Sequence, residues 1–363
     1  MIEKIKVLII DDSLLFRNVL KNELNKDKHI EVIGTAIDPI DAIEKIKQIQ
    51  PDIITLDVEM PRMNGLTFIK KLMAENPIKV VLVSSMNISV FDALQSGAVD
   101  FVKKPDMSGG NDLESFFREL KVKIKIASIA KMVTFKSPIK EEVKKEEVKK
   151  VEVIKEESSN PSIKIESLKN ISTSSKKIIA IGASTGGTEA TLKILKEIPK
   201  DAPGILITQH MPSGFTKMYA DRLNKICAME VREAVDGDRI NSGLALVAPG
   251  DKHMRLKKDE KGYYVSCKTG DKVSGHCPSV DVLFNSVAET AGKNSVGIIL
   301  TGMGKDGAQG LLNMKNTGAY TIGQDEKSSV VYGMPMTAYN IGAVMVQASI
   351  ENIADILIKH LNK

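Results

Sequence analysis

Residues 178–187 read Ile-Ile-Ala-Ile-Gly-Ala-Ser-Thr-Gly-Gly, an apolar run that ends in a glycine-flanked serine. A buried strand followed by glycines is typical of a tight strand-to-helix turn that presents one side chain at the edge of a sheet. The spacing Gly182-x-Ser184-x-Gly186 matches the nucleophile elbow, in which free amides at the helix start hold an oxyanion. A glycine-rich phosphate cradle and a plain tight turn are alternative interpretations, so the rest of the chain must decide.

The overall composition indicates a soluble protein of two or three domains, with 363 residues, 42% of them hydrophobic and 27% charged. No apolar run is long enough to span a bilayer, and the first strand begins almost at Met1. We therefore expect neither membrane insertion nor a signal peptide, and a cytoplasmic location. The formal charge of +5 is mild and its basic residues are interspersed with acids, so nucleic acid is not expected as a partner.

A change of composition divides the chain. Between about residues 136 and 177 the apolar runs stop, and Lys-Glu repeats are followed by serines and Pro161. Such a segment has too little apolar surface to pack on a core, which predicts a charged flexible linker. We accordingly expect three parts: a first folded unit at 1–130, the linker at 131–176 and a second folded unit at 177–363.

The first unit alternates strand-like and helix-like segments five times, which predicts an α/β fold with a doubly wound parallel sheet. Ligands of such sheets bind beyond the carboxyl ends of the strands. The polar residues expected at those ends are Asp11, Asp12, Asp57, Ser84 and Lys104. Each of them alone is typical of a helix cap or a solvated loop charge, but together they indicate a site.

Three converging carboxylates repel one another unless a hard cation lies among them, and oxygen ligands of this kind suit Mg²⁺. Such a cation would neutralise a phosphoryl group on an aspartate, with Lys104 pairing with the phosphoryl oxygens and the Ser84 hydroxyl hydrogen-bonding to them. The pattern therefore predicts a phosphorylation site that uses Mg²⁺.

These residues resemble the response-regulator receiver family, together with Lys104-Pro105 and the segment 57–65, Asp-Val-Glu-Met-Pro-Arg-Met-Asn-Gly. The resemblance covers the whole first unit and implies a flavodoxin-like switch domain that takes its phosphoryl group from a histidine kinase. It implies these roles: Asp57 as phosphoacceptor, Asp11 and Asp12 as metal-site acids, the Glu59 backbone carbonyl as a further metal ligand, and Ser84 with Phe101 as the switch pair.

The second unit repeats the pattern of polar residues at strand ends. A predicted strand at 204–208 leads to His210, and the apolar run 296–300 leads into Thr301-Gly-Met-Gly-Lys-Asp-Gly-Ala308, which contains Asp306. We therefore expect Ser184, His210 and Asp306 to reach one edge of one parallel sheet. This combination supplies a nucleophile, a base for its proton and a carboxylate that orients the base.

Among the other histidines of this unit, His276 and His253 are the alternatives to His210 as the base. His276 lies in turn-like surroundings and follows no apolar strand, so we expect it to contact substrate or to have a structural role. His253 lies in the charged stretch Asp-Lys-His-Met-Arg-Leu-Lys, which predicts a surface position. His210 is therefore the predicted base.

Two known motifs that share the glycine spacing fit less well. A dinucleotide fingerprint needs an acidic residue at the end of the next strand, where this chain has Gln209 and His210. An α/β-hydrolase has the chain order serine, acid, histidine, whereas the candidates here run serine, histidine, acid. The second unit is therefore expected to be a separate, Rossmann-like parallel sheet.

The second unit is similar to the chemotaxis protein-glutamate methylesterase family over essentially all of 177–363. The motifs shared with that family are Gly-Ala-Ser-Thr-Gly-Gly187, Gln209-His-Met-Pro212, Ala248-Pro-Gly250, Pro278-Ser-Val-Asp-Val-Leu-Phe284 and the loop that ends at Ala308. The similarity implies a triad of Ser184, His210 and Asp306, with the Met303 backbone N–H as an oxyanion donor.

The resemblance also implies what the enzyme acts on. Glutamate methyl esters on chemoreceptors would be hydrolysed to glutamate and methanol without a cofactor, and receptor glutamines would be deamidated. A transcription regulator is disfavoured because the second unit has no recognition-helix pair or concentrated basic face. A phosphorylation-dependent scaffold without catalysis remains an alternative.

Overall fold

The computed structural model describes residues 3–60, 64–85, 89–105, 110–132 and 177–363. The predicted linker, 131–176, lies outside the described residues except for Lys131 and Met132, as do residues 61–63 of the receiver-like segment. Within the described parts, none of the helices combines the length and the apolar character needed to cross a bilayer.

The N-terminal unit is a five-stranded parallel sheet in the order β2-β1-β3-β4-β5. Its strands are β1 Ile5–Ile10, β2 Ile30–Ala36, β3 Ile53–Leu56, β4 Lys79–Ser84 and β5 Asp100–Lys103. Its helices are α1 Leu14–Leu24, α2 Pro39–Ile49, α3 Gly65–Glu75, α4 Ser89–Gln95 and α5 Gly110–Ile129. Alternate residues of β1 enter different apolar clusters, with Leu8 on the side of α2, α3 and α4 and Ile9 on the side of α1 and α5. Helices therefore cover both faces of the sheet.

The C-terminal unit is a seven-stranded sheet, all parallel, in the order β14-β13-β12-β6-β7-β9-β8. Its strands are β6 Ile178–Ala183, β7 Ile205–Gln209, β8 Glu230–Glu233, β9 Leu244–Val247, β12 Ser295–Ile299, β13 Tyr320–Gln324 and β14 Val346–Ala348. An antiparallel hairpin, β10 His253–Asp259 and β11 Gly262–Lys268, lies outside this sheet. The helices are α6 Gly187–Glu197, α7 Phe215–Ile226, α8 Val280–Thr290, α9 Ala308–Asn316, α10 Met334–Asn340 and α11 Ile353–Leu361.

The strand order of the second sheet reverses beside its central strand. From β6 the chain proceeds to β7 on one side and later crosses to β12 on the other, so β6 and β12 flank the switch point. In open parallel sheets the ligand crevice lies at this point, beyond the carboxyl ends of the strands. Ser184 directly follows β6 and Thr301 lies two residues beyond the end of β12, so both lie at the mouth of that crevice.

The two units contact each other through aromatic and polar side chains. The ring centroids of Phe101 and Phe215 are 4.7 Å apart, and Phe91 stacks on Tyr219 at 5.7 Å. The backbone N–H of Lys131 donates to the Val330 carbonyl at 2.8 Å. Residues of β5 and of α4 therefore pack against the second unit close to its switch-point crevice.

The predicted pair of parallel α/β sheets is confirmed, but the surface position predicted for His253 is wrong. This residue begins β10 and is 1% exposed. Successive side chains of a strand point to opposite faces, so His253 lies on the face opposite Met254 and is covered there by the loop that carries Asp271 and Ser279. Met254 and Leu256 of the same strand are also buried, next to α8.

Candidate active site

Ser184 lies between the end of β6 and the start of α6. Its N–H donates to the Thr301 carbonyl at 3.0 Å, and its own carbonyl accepts from Gln209 Nε2 at 2.8 Å. Gly186, two residues after Ser184, has φ +77°, and a Cβ on it would lie 2.7 Å from Val330 Cβ. Only glycine fits that left-handed, crowded position, which allows the sharp turn to leave Ser184 at the sheet edge.

His210 is held at the same edge by backbone and side-chain contacts. Its N–H donates to the Ala183 carbonyl at 3.1 Å, and its Nε2 is 2.7 Å from Asp306 Oδ2. Because an ionised carboxylate only accepts hydrogen bonds, Nε2 carries the proton and Nδ1 of the neutral ring is the basic nitrogen. Nδ1 is buried and has no hydrogen-bond partner among the described residues, so it is available to a nearby hydroxyl.

Asp306 is a buried carboxylate with several hydrogen-bond donors. Besides His210, the Val280 N–H donates to Oδ2 at 2.7 Å, while the Ser279 hydroxyl and the Asp281 N–H donate to Oδ1 at 2.8 and 3.1 Å. Burial opposes its ionisation, but the hydrogen bond and charge of His210 and the two amides lower the pKa of Asp306 to about 2. Asp306 is therefore an anion at neutral pH and can stabilise an imidazolium.

The start of α8 supplies the donors that hold Asp306. Ser279 is the N-cap of this helix, and its N–H donates to His253 Nδ1 at 3.3 Å. His253 Nε2 in turn contacts the Asp271 carbonyl at 2.8 Å, so the ring is fixed from both sides. Sequence reasoning named this segment only by resemblance and gave neither Ser279 nor His253 a role. The N-cap pattern before an apolar helix was the signal available for Ser279.

The loop after β12 approaches the nucleophile closely. A Cβ at Gly302 would lie 2.7 Å from Ser184 Cβ, so a larger residue has no room there. Met303 follows in this loop with a side chain that is 42% exposed. Met303, the predicted oxyanion donor, therefore directly follows Gly302, whose backbone lies against Ser184.

The acidic cluster predicted in the first unit is assembled. Ligand oxygens of Asp11, Asp12 and Asp57 all lie within 4.8 Å of one another. Lys104 Nζ is 2.8 Å from Asp11 Oδ2 and 2.6 Å from Asp57 Oδ2. Burial raises the pKa of Asp57, the charge of Asp11 raises it further, and Lys104 opposes both. Added positive charge among these oxygens would favour ionised Asp57, so the donor set fits a hard divalent cation.

The remaining predicted residues surround this cluster. The Ser84 hydroxyl is buried and has no hydrogen-bond partner among the described residues, as expected of a group that awaits a ligand oxygen. The Glu59 N–H donates to Asp57 Oδ1 at 3.0 Å. Phe101 is buried in β5, with its ring against Phe215 of the second unit.

A buried hydrogen-bond network joins the catalytic edge to β5 of the first unit. Thr185, the residue after the candidate nucleophile, donates its hydroxyl hydrogen to Asp100 Oδ2. Asp100 Oδ1 accepts from Lys123 Nζ at 2.7 Å and from the Phe101 N–H at 2.8 Å. The strand that carries Phe101 is therefore hydrogen-bonded directly beside Ser184.

Known proteins resemble this chain along both units. Residues 7–109 match the family model for the response regulator receiver domain, and residues 179–357 match the model for CheB methylesterase. The crystal structure of the Thermotoga maritima CheB methylesterase catalytic domain is 36% identical. It aligns with a TM-score of 0.50 over 51% of this chain and 99% of that chain.

Relatives match this chain over almost the whole length of both proteins. A protein-glutamate methylesterase/protein-glutamine glutaminase of Syntrophomonas wolfei is 50% identical, covering 100% of this chain and 99% of the relative. The Sulfurimonas denitrificans protein of the same name is 47% identical, covering 96% of each. Identity at this level over the whole length leaves no other assignment: the chain belongs to the protein-glutamate methylesterase/protein-glutamine glutaminase family, with a receiver domain ahead of the CheB methylesterase domain.

Proposed function

We propose that this chain hydrolyses glutamate methyl esters on chemoreceptors, with Ser184 as nucleophile, His210 as general base and Asp306 as the group that orients His210. The proposal rests on one observation above all. At the switch point of the sheet, Asp306 fixes one nitrogen of His210, which directly follows the strand next to β6, and the other buried nitrogen has no hydrogen-bond partner among the described residues. The assembled set favours catalysis over a scaffold function.

The chemistry is acyl transfer. His210 Nδ1 takes the Ser184 proton, and the serine oxygen attacks the ester carbonyl to give a tetrahedral oxyanion. The backbone N–H of Met303 and the amides at the start of α6 stabilise that oxyanion. Methanol leaves with the proton from His210. Water then hydrolyses the acyl-enzyme to glutamate by the same steps, so the reaction needs no cofactor.

Deamidation of receptor glutamines follows from the same geometry, and both relatives named above carry glutaminase in their names. An amide differs from the ester only in its leaving group, ammonia instead of methanol. The leaving nitrogen must be protonated, and the imidazolium formed on His210 supplies that proton. Asp306 stabilises this imidazolium because its own low pKa keeps it anionic.

The receiver domain is proposed as the control element. Asp57 accepts a phosphoryl group from a histidine kinase in the cytoplasm, and Asp11, Asp12, Asp57 and the Glu59 carbonyl hold Mg²⁺. When bound, Mg²⁺ neutralises the phosphoryl oxygens. Lys104 pairs with the same oxygens, and the partnerless Ser84 hydroxyl donates to one of them.

Phosphorylation is proposed to release the catalytic edge. In the unphosphorylated chain, Asp100 holds the Thr185 hydroxyl and Phe101 packs on Phe215, so the receiver covers the approach to Ser184. Movement of Ser84 and Phe101 toward the phosphoryl group would weaken both contacts. Activation is then removal of an obstruction and needs no change in the triad.

The test is Ser184→Ala in the full chain, assayed for methanol release from methylated chemoreceptors. We expect release to fall by about three orders of magnitude or more, because the nucleophile is absent. Phosphorylation by acetyl phosphate with Mg²⁺ should persist, which reports that the receiver is folded, and the thermal unfolding of the variant should match the wild type. Ser242→Ala, an exposed loop serine, is the matched control and should release methanol normally. Methanol release by Ser184→Ala would refute the triad, and none from the wild type would refute the function.

A further inference from the structure

His276 forms an aromatic stack with the proposed general base. The ring centroids of His210 and His276 are 3.6 Å apart and their planes differ by 9°. His276 is held in the loop between β11 and α8 by two backbone hydrogen bonds with Val273, one in each direction, both 3.0 Å long. The loop therefore presents the His276 ring as a fixed surface against one face of His210.

A hydrogen bond alone does not fix the direction of the basic nitrogen. The bond between His210 Nε2 and Asp306 fixes one ring atom, but the ring can still tilt about that bond and displace Nδ1. The parallel His276 ring restricts this tilt, because tilting His210 would open a gap on one side of the stack and cause a steric clash on the other. Resting on the proposed function, we infer that His276 is a positioning residue, which holds the His210 ring in the plane where Nδ1 meets the Ser184 hydroxyl.

The charge state of His276 suits this role. Burial first, and then the neighbouring His210, Lys123 and Lys272, lower the pKa of His276 to about 4, although Asp306 opposes this. His276 is therefore neutral when His210 becomes an imidazolium during the reaction. A cation over a neutral aromatic face is attracted, whereas two stacked cations repel. A neutral His276 ring therefore adds no second positive charge beside His210.

The experiment compares His276→Ala with His276→Phe in the full chain, phosphorylated by acetyl phosphate with Mg²⁺. Phenylalanine keeps a flat ring and has no nitrogen, so it separates stacking from proton chemistry. We expect kcat for methanol release to fall about 10- to 100-fold in His276→Ala with KM unchanged, and to return close to the wild-type value in His276→Phe. Thr269→Ala, an exposed residue of the same loop, is the matched control and should behave as wild type.

A second readout avoids the receptor. The rate at which an organophosphorus fluoride modifies Ser184 measures how well His210 activates the hydroxyl, and it should follow the same order. If His276→Phe is as slow as His276→Ala, or if His276→Ala equals the wild type, the inference is wrong. Wild-type protein that reacts with the fluoride but releases no methanol would contradict the proposed substrate, and the comparison of labelling rates would still decide the role of His276.

Discussion

Asp306 shows how individual side chains prepare the site before any substrate arrives. Four donors surround its two oxygens, and two of them are backbone amides of the first turn of α8. Amides at a helix start carry partial positive charge, which adds to the stabilisation of the carboxylate. In the proposed mechanism, the dipoles that stabilise the charge on Asp306 are therefore fixed by folding and need no rearrangement in the reaction.

The lowered pKa of His276 has a consequence for stability against pH. Above about pH 6.5 the ring is neutral in both the folded and the unfolded chain, and it contributes nothing to the pH dependence. Between about pH 6.5 and about pH 4 the unfolded chain binds a proton at this ring that the folded chain does not. The free energy of unfolding therefore falls with falling pH across this window.

His276→Phe should remove that contribution. We expect the melting temperature of the variant to fall less than that of the wild type between pH 7.5 and pH 4.5, measured by thermal unfolding of both proteins in matched buffers. His210, Asp306, Lys123 and Lys272, the ionisable groups facing this ring, are present in both proteins. Parallel curves for the two proteins would show that the His276 pKa is not lowered in the folded chain.

The first turn of α8 connects the fold to the catalytic edge. Ser279 caps the helix and donates to Asp306, whereas Ser286 of the same helix accepts from the Leu256 N–H and donates to the Leu283 carbonyl. Comparing substitutions of the two serines therefore distinguishes an effect on stability from an effect on the position of Asp306.

Ser279→Ala should lower kcat for methanol release about tenfold, because Asp306 loses one donor and gains freedom to rotate. It should also cost about 1 kcal/mol of folding free energy as a lost helix cap. Ser286→Ala, which leaves the buried Leu256 N–H unpaired, should destabilise the fold with kcat unchanged. Steady-state kinetics and thermal unfolding of both variants provide the check. Equal kcat values for Ser279→Ala and the wild type would contradict the role given to Ser279.

Much of this arrangement could be predicted from local sequence. Ser184, His210, Asp57 and Asp11 each follow an apolar run, and parallel strands bring such ends to one edge. The β10–β11 hairpin was harder to predict, because charged residues on its exposed face mask the alternating pattern of its buried residues. The stack of His276 on His210 joins a loop to a strand end far away in the chain, and no local pattern reports such a contact.

The whole molecule holds its two units together with contacts that sequence patterns do not reveal. Phe101 and Phe215 look like ordinary core residues, and only the structure shows that their rings meet between the units. Buried apolar side chains of both units belong to one continuous cluster. Separation of the receiver therefore exposes apolar surface, which opposes spontaneous release of the catalytic edge.

A fragment that begins near Ser175 should be more active than the unphosphorylated full chain, because it lacks the receiver that is proposed to obstruct access to Ser184. Independent folding of this unit is supported by the Thermotoga maritima catalytic domain, whose crystal structure aligns with this chain over 99% of its own length. Methanol release by fragment and full chain, the latter with and without acetyl phosphate, is the measurement. Equal activity of the fragment and the unphosphorylated chain would argue against obstruction.

In the proposed mechanism the receiver competes with the substrate, because the hydrogen bond from Thr185 to Asp100 holds it beside Ser184. Competition of this kind is thermodynamically reciprocal. If phosphorylation raises the affinity of the catalytic edge for substrate, then bound substrate raises, by the same factor, the affinity of the receiver for a phosphoryl mimic such as beryllofluoride. A methylated receptor is then an allosteric effector of the phosphorylation site as well as a substrate.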